Sequence, residues 1–205
     1  MHKFLISHGS AGTFWLEDTL INDITKIPHD ISNFKFGCGT HLKSPNCLIE
    51  KYGNNAKILY PIRHPIETLM SYVRRGFFVS RAHCFHVGGN VNNWYRFSDS
   101  IQPLKRKKDI SFVLEKLANV DYEIFEIKDH ILSWYDCDLD VKFVAYPDIP
   151  QRWKEITDYL GSNAKEAIHG WKEKKCDLRN LQKDTLEKLC EKYKKAIKIY
   201  EKVKI

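Results

Sequence analysis

No stretch of this 205-residue chain approaches the ~18 consecutive apolar residues of a membrane-spanning helix, which argues against a transmembrane protein. The N-terminus carries no basic segment followed by a long apolar run, so a secretory signal is not expected and a cytoplasmic location is. The six cysteines (Cys38, Cys47, Cys84, Cys137, Cys176 and Cys190) are scattered, with no Cys-x-x-Cys pair. That excludes the dense spacing of a disulfide framework and leaves reduced thiols as the expectation. There is no internal repeat, no low-complexity segment and no recognisable linker, so residues 1–205 read as one domain. No Lys-Ser or Lys-Thr pair closes the glycine-containing turn near the N-terminus, so that turn is not a Walker loop.

What is present is the composition of a globular protein, 43% hydrophobic and 13% aromatic. The formal charge is +7, from 33 basic and 26 acidic side chains. Such an excess favours anionic ligands or substrates. Nucleic acid is not the expected partner, because no basic helix interleaved with aromatics and no RNA-recognition signature is found. Much of the charge sits in Lys105-Arg106-Lys107-Lys108 and near the C-terminus.

The stretch from Phe4 to Leu16 is the one around which the rest is organised. Phe4-Leu5-Ile6 reads as a buried strand, Ser7 to Gly12 as a small-residue turn, and Thr13-Phe14-Trp15-Leu16 as the opening of a helix. A helix begun in this way points backbone N–H groups and the positive end of its dipole into the turn. Gly9 and Gly12 let the backbone approach a guest, and Ser10 and Thr13 add hydroxyl donors. Phosphate or sulfate is the natural guest; the alternative is an ordinary strand-turn-helix junction.

Further along, Phe34 to Leu42 reads as a second strand, Leu48 to Tyr52 as a short helix closed by Gly53, and Lys57 to Ile62 as a third strand with an unbroken apolar run. Arg63 ends that strand, His64-Pro65 opens a helix through Leu69, Met70 and Tyr72 to Arg75, and Gly76 ends it. Residues 77–108 show little periodicity and are expected to form a long excursion that shapes a binding site. A helix over Phe112 to Ala118, another through Ile124, Ile131 and Trp134, a fourth strand over Val141 to Tyr146, and a helix from Trp153 to Leu160 follow. Residues 183–205 read as one amphipathic helix. Strands alternating with helices predict an α/β fold, three layers with a mostly parallel central sheet, whose ligands lie beyond the carboxyl ends of the strands. The first turn, His41, Arg63 and Tyr146 are all predicted to lie there.

Taken together, those four positions resemble the sulfotransferase family, whose donor is 3′-phosphoadenosine 5′-phosphosulfate (PAPS), over residues 4–161. The family's loop, Pro-Lys-Ser-Gly-Thr-Thr-Trp, is similar to Gly9-Ser10-Ala11-Gly12-Thr13-Phe14-Trp15. Its Thr-His-Leu triplet, which carries the catalytic base, is similar to Thr40-His41-Leu42. Its Arg-Asn-Pro-x-Asp-x-x-x-Ser-Tyr segment resembles Arg63-His64-Pro65-Ile66-Glu67-Thr68-Leu69-Met70-Ser71-Tyr72, and its Tyr-Glu-Asp resembles Tyr146-Pro147-Asp148. The resemblance implies a phosphate-loop-like sulfotransferase fold with PAPS as co-substrate and no metal. It gives the phosphosulfate to residues 9–15, the 3′-phosphate to Arg63 and Ser71, the adenine to Trp15 and Tyr146, and the role of base to His41. The family's loop lysine is Ser10 here, which gives Ser10 the corresponding place in catalysis. Its C-terminal Arg-Lys-Gly motif is not found, and Trp171-Lys172 to Lys175 is the nearest stand-in.

Sulfuryl transfer needs a nucleophile, a base for its proton, and a counter-charge for the departing phosphate. Imidazole titrates near neutral pH and suits the second task. With Ser10 in place of lysine, the missing cation is expected from Lys43 or from residues 105–108. Each assignment has a structural rival: His41 bonded to backbone, Arg63 paired with Glu67, Ser71 facing solvent, and Trp15 and Tyr146 as core aromatics. His83-Cys84-Phe85-His86 is read as an acceptor-site or structural segment in preference to a metal site. The expected acceptor is a hydroxyl or amine of a small molecule or sugar, and the expected protein is a monomer or homodimer. Two other functions stay open, a non-catalytic PAPS-binding or product-binding protein and a phosphate-loop kinase.

Overall fold

The computed structural model describes residues 1–27, 41–100, 110–165 and 178–205. Among these residues three parallel strands form a sheet, β1 (His2–Leu5), β2 (Ala56–Ile62) and β3 (Asp140–Ala145), in the order β1-β2-β3. Phe4 pairs with Ile58, and Ile62 pairs with Ala145, so the carboxyl ends of all three strands point the same way. The central position of β2 explains its unbroken apolar run, because both of its faces are covered.

Strand alternation divides the core between those two faces. Phe4, Ile58, Tyr60, Ile62 and Ala145 belong to one cluster. Leu5, Leu59 and Val144 belong to a second, with Leu16 and Leu20 and with Ile156 and Leu160. The smaller layer is built from α1 (Thr13–Thr19) and α8 (Trp153–Leu160). The larger is built from α3 (Pro65–Arg74), α6 (Ile110–Asn119), α7 (Ile127–Tyr135), α9 (Lys183–Lys192) and α10 (Lys194–Val203). The chain is therefore α/β, a parallel sheet flanked by helices. Among the described residues, no helix is long and apolar enough to cross a membrane.

Several sequence expectations need correction. The excursion predicted for residues 77–108 contains two helices, α4 (Arg81–His86) and α5 (Val91–Ser100). Both are short and amphipathic, and α4 is only six residues long, too brief for a 3.6-residue period to register. The single C-terminal helix is two, because Tyr193 caps α9 and leads into α10. Ile124 precedes α7 instead of lying in it. Of the expected strand at residues 34–42, residues 34–40 lie outside the described residues, and neither His41 nor Leu42 is in a strand. A helix not singled out beyond its apolar core, α2 (Asn46–Tyr52), ends at Gly53 as expected.

Gly89 locks α4 to the lead-in of α7. A Cβ there would stand 2.6 Å from Cys84 Sγ and 2.6 Å from the Ile124 carbonyl oxygen. Its own N–H donates to the Cys84 carbonyl at 2.9 Å. Neither backbone can retreat without breaking this turn. Gly89→Ala is expected to lower the unfolding free energy by about 3 kcal/mol, read by urea titration. A loss below about 0.5 kcal/mol, the level of an ordinary surface change, would show that the turn is looser than its packing indicates.

Candidate functional site: a cleft beyond the strand ends

The cleft opens where β1, β2 and β3 end. Ile6 continues the ladder, its N–H donating to the Leu59 carbonyl at 3.0 Å, and the chain then turns. Gly9, Ser10 and Gly12 all have positive φ, at 98°, 55° and 75°. Ser10 is the costly one, since a residue with a Cβ is strained in that region. Ser7 braces the turn: its Oγ accepts from the Gly9 N–H at 3.0 Å and lies 2.6 Å from Thr13 Oγ1. Helix α1 then begins from Gly12, with the Leu16 N–H donating to the Gly12 carbonyl at 3.0 Å, and no side chain caps it.

Arg63 follows β2 and is brought to this turn. Its Nη1 donates to the Ser10 carbonyl at 3.3 Å, its Nε donates to Glu67 Oε2 at 3.0 Å, and its guanidinium lies 5.4 Å from the Tyr146 ring centroid. The rival pairing with Glu67 is thus present, together with a position at the ligand-facing turn. Ser71, two turns into α3, does not face solvent; it accepts from Ser10 Oγ at 3.1 Å and is 8% exposed.

These residues surround a cleft of about 260 Å³. Gly9, Ser10, Gly12, Thr13, Phe14 and Trp15 line it along the turn, together with Arg63 and Tyr146. His41, Tyr72, Arg75, Phe77, His86, Val87 and Glu17 complete the lining. Of the sequence-assigned positions, only Ala11 and Ser71 are not in the lining. Ala11 is packed in the core with Leu5 and Leu16, and Ser71 stands behind Ser10. Phe14 is 70% exposed at the lip. Trp15 combines both readings, half-buried against Trp153 with ring centroids 5.5 Å apart, yet facing the cleft.

His41 is held by its backbone neighbours. Its Nδ1 lies 2.8 Å from the Ser7 carbonyl, and since a carbonyl only accepts, Nδ1 carries the proton. Leu42 is in turn held by Trp134 Nε1, donating to its carbonyl at 3.0 Å. Burial pushes the His41 pKa down to about 4, with His86 and the positive Arg75 adding to the effect and the Ser7 carbonyl opposing it. At neutral pH its ring is uncharged, and Nε2 is the lone-pair nitrogen. Gly9 leaves room for that ring, since a Cβ at Gly9 would stand 3.0 Å from His41 Cε1 and 2.8 Å from Tyr72 Oη.

Beneath the turn, His8 is completely surrounded. Its Nε2 lies 2.7 Å from the Phe125 carbonyl and its Nδ1 2.8 Å from Tyr72 Oη, and that hydroxyl donates to the His8 carbonyl. Burial drives its pKa down to about 3.

No family model, curated protein or solved structure matches this chain.

Two expected contributors are elsewhere. Lys43 pairs with Glu126 and is not in the cleft lining, and His83 stacks on Phe77 at 5.5 Å while His86 alone of that pair faces the cleft. Residues 105–108 and 171–175 lie outside the described residues. Among the described residues no group of His, Cys, Asp or Glu is placed to hold a metal. The cations that do line the cleft are Arg63 and Arg75. Sequence reasoning missed Arg75, as well as Tyr72, Phe77 and Glu17. A signal was available: Arg75 is four residues after Ser71, on the same face of α3.

Proposed function

We propose that the cleft binds a nucleotide with two separate anionic ends, PAPS or its desulfated product PAP, and that the protein is a sulfotransferase acting on a hydroxyl or amine of a small molecule or sugar. One observation carries this reading: the Arg63 guanidinium and the turn at residues 9–15 share one cleft with a neutral histidine. In this reading the turn and the start of α1 take the phosphosulfate, because their backbone N–H groups face an anion at little reorganisation cost. Arg63 and Ser71 take the 3′-phosphate, and Trp15 and Tyr146 flank the adenine. The sulfotransferase resemblance of the sequence supplies the choice of nucleotide.

His41 is suited to the base because its tautomer is set. Nδ1–H is anchored on Ser7, so an acceptor proton can arrive only at Nε2. A bound anion beside the ring would raise its low pKa toward neutrality by favouring the imidazolium form. That places proton acceptance in the complex, where it is needed.

Thermal-shift measurements with PAPS, PAP, ATP plus magnesium, and GTP test the reading. At about one hundred times its dissociation constant a nucleotide contributes about 2.7 kcal/mol, which corresponds to a rise in Tm of about 5 °C for a chain of this size. PAP and PAPS are expected to give that rise and ATP is not. Stabilisation by ATP and magnesium alone would replace the reading with a kinase, for which Ser10 already lacks the lysine. Binding of PAPS with no transfer of its label to any acceptor of a broad panel would leave a nucleotide-binding protein.

A further inference from the structure

Transfer from a phosphosulfate breaks the S–O bond to the bridging oxygen, and the electron pair stays on the 5′-phosphate. The acceptor oxygen forms the new bond to sulfur, and its proton passes to His41 Nε2. The balance is one extra negative charge on the departing phosphate and one positive charge on His41. Something must meet that negative charge in the transition state. Ser10 brings a hydroxyl and no charge.

Among the described residues, the positions of the cations narrow the choice. Lys43 is paired with Glu126 away from the cleft. Arg63 is engaged with Glu67, the Ser10 carbonyl and the Tyr146 ring. Arg75 lines the cleft together with His41, and its charge is close enough to depress the titration of both His41 and Tyr72. Among the described residues no carboxylate pairs with it; its guanidinium lies 5.8 Å from the Phe77 ring centroid. It follows Ser71 by one helical turn and caps the C-terminal end of the helix whose Ser71 reaches Ser10.

The geometry points to Arg75 as the cation that neutralises the leaving 5′-phosphate, a task moved from the phosphate-binding turn to the end of α3. The inference rests on the PAPS reading, and it makes Arg75 a catalytic residue of that reaction. It lines the same cleft as the turn, so a phosphosulfate bound there is met by backbone N–H groups and by a guanidinium.

A binding measurement isolates this role without any need for the acceptor. The 5′-phosphate of PAP carries the charge that PAPS acquires only on transfer, so PAP reports the product-like end of the reaction. Affinities of PAP and PAPS are measured by calorimetry for the natural protein, Arg75→Ala and Arg75→Lys. Arg75→Ala is expected to weaken PAP about tenfold more than PAPS, the loss of one charge-assisted contact, and Arg75→Lys to restore most of the difference. Placing a cation on the turn, as Ser10→Lys in the Arg75→Ala background, is expected to restore it as well. Equal weakening of PAP and PAPS, or none, overturns the assignment while leaving the nucleotide reading intact. Failure of the natural protein to bind either nucleotide overturns both. Loss of all binding in Arg75→Ala that neither lysine variant recovers assigns Arg75 to structure, and likewise overturns the proposal.

Discussion

Between pH 7.5 and pH 5 the protein is expected to lose about 5 kcal/mol of its unfolding free energy, an effect of three histidines. His8, His41 and His130 are buried, with 4%, 7% and 3% of their surface exposed. Burial is the main cause that lowers each: His8 to about 3, His41 to about 4, and His130 well below the ordinary value. They also oppose one another's ionisation, His8 acting on His130 with ring centroids 5.0 Å apart. The groups facing them are neutral or positive: Tyr72 bonds His8, Tyr60 Oη lies 2.7 Å from His130 Nδ1, and Arg75 and His86 adjoin His41.

The sign follows from proton counting. In the unfolded chain each imidazole binds a proton as pH falls through about 6.5, while burial keeps all three neutral well below that pH in the folded protein. The unfolded state therefore binds more protons across this window, and stability rises with pH throughout it. Each histidine contributes a slope approaching 1.4 kcal/mol per pH unit. Full stability is present above about pH 7, and loss begins well above the carboxylate range. Urea titrations at half-unit steps would read it. His41→Asn, whose amide nitrogen can take the place of Nδ1, is expected to remove about a third of the slope. A stability that stays level down to pH 5 would mean that the imidazoles are charged in the fold, and His41 would then be no base.

The layers were legible in the sequence because their signals are local. An apolar run without alternation marked β2, Pro65 and Gly76 bracketed α3, and the spacing within Trp153–Leu160 gave α8 to the residue. The gathering of the turn, Arg63 and Tyr146 followed from the rule that parallel strands end on one side. What was hidden depends on contacts distant in sequence. Ser7 reads as one more small residue in a turn, yet it braces Gly9 and Thr13 and anchors His41 through its carbonyl. His8 reads as a polar residue on the ligand side, and is instead sealed beneath the turn by Phe125, 117 residues away. The expectation for Lys43 failed for the same reason: its partner Glu126 lies on a different element.

Removing the Arg63 guanidinium is expected to weaken PAP binding by about a hundredfold, the equivalent of about 2.7 kcal/mol. Two effects act together. The ligand loses a cation able to bind a phosphate through two N–H groups, and the negative charge of Glu67 is no longer offset by the ion pair it makes with Arg63 at 3.0 Å. The second effect can be removed separately. Arg63→Ala with Glu67→Gln is expected to recover part of the loss, and Arg63→Lys to retain charge while forfeiting the fork geometry, for an intermediate loss of about tenfold. If Arg63 served only to hold Glu67, the picture would differ: stability would fall in Arg63→Ala and PAP affinity, measured by calorimetry at 0.15 M salt, where exposed charges beyond about 8 Å are screened, would not. At 5% exposure and beside Tyr146 the guanidinium is shielded from that screening, so its effect on an anion in the cleft persists at this ionic strength. An Arg63→Ala protein that binds PAP within threefold of the natural one would remove the 3′-phosphate from this end of the cleft, and with it the reason for choosing a nucleotide with two anionic ends.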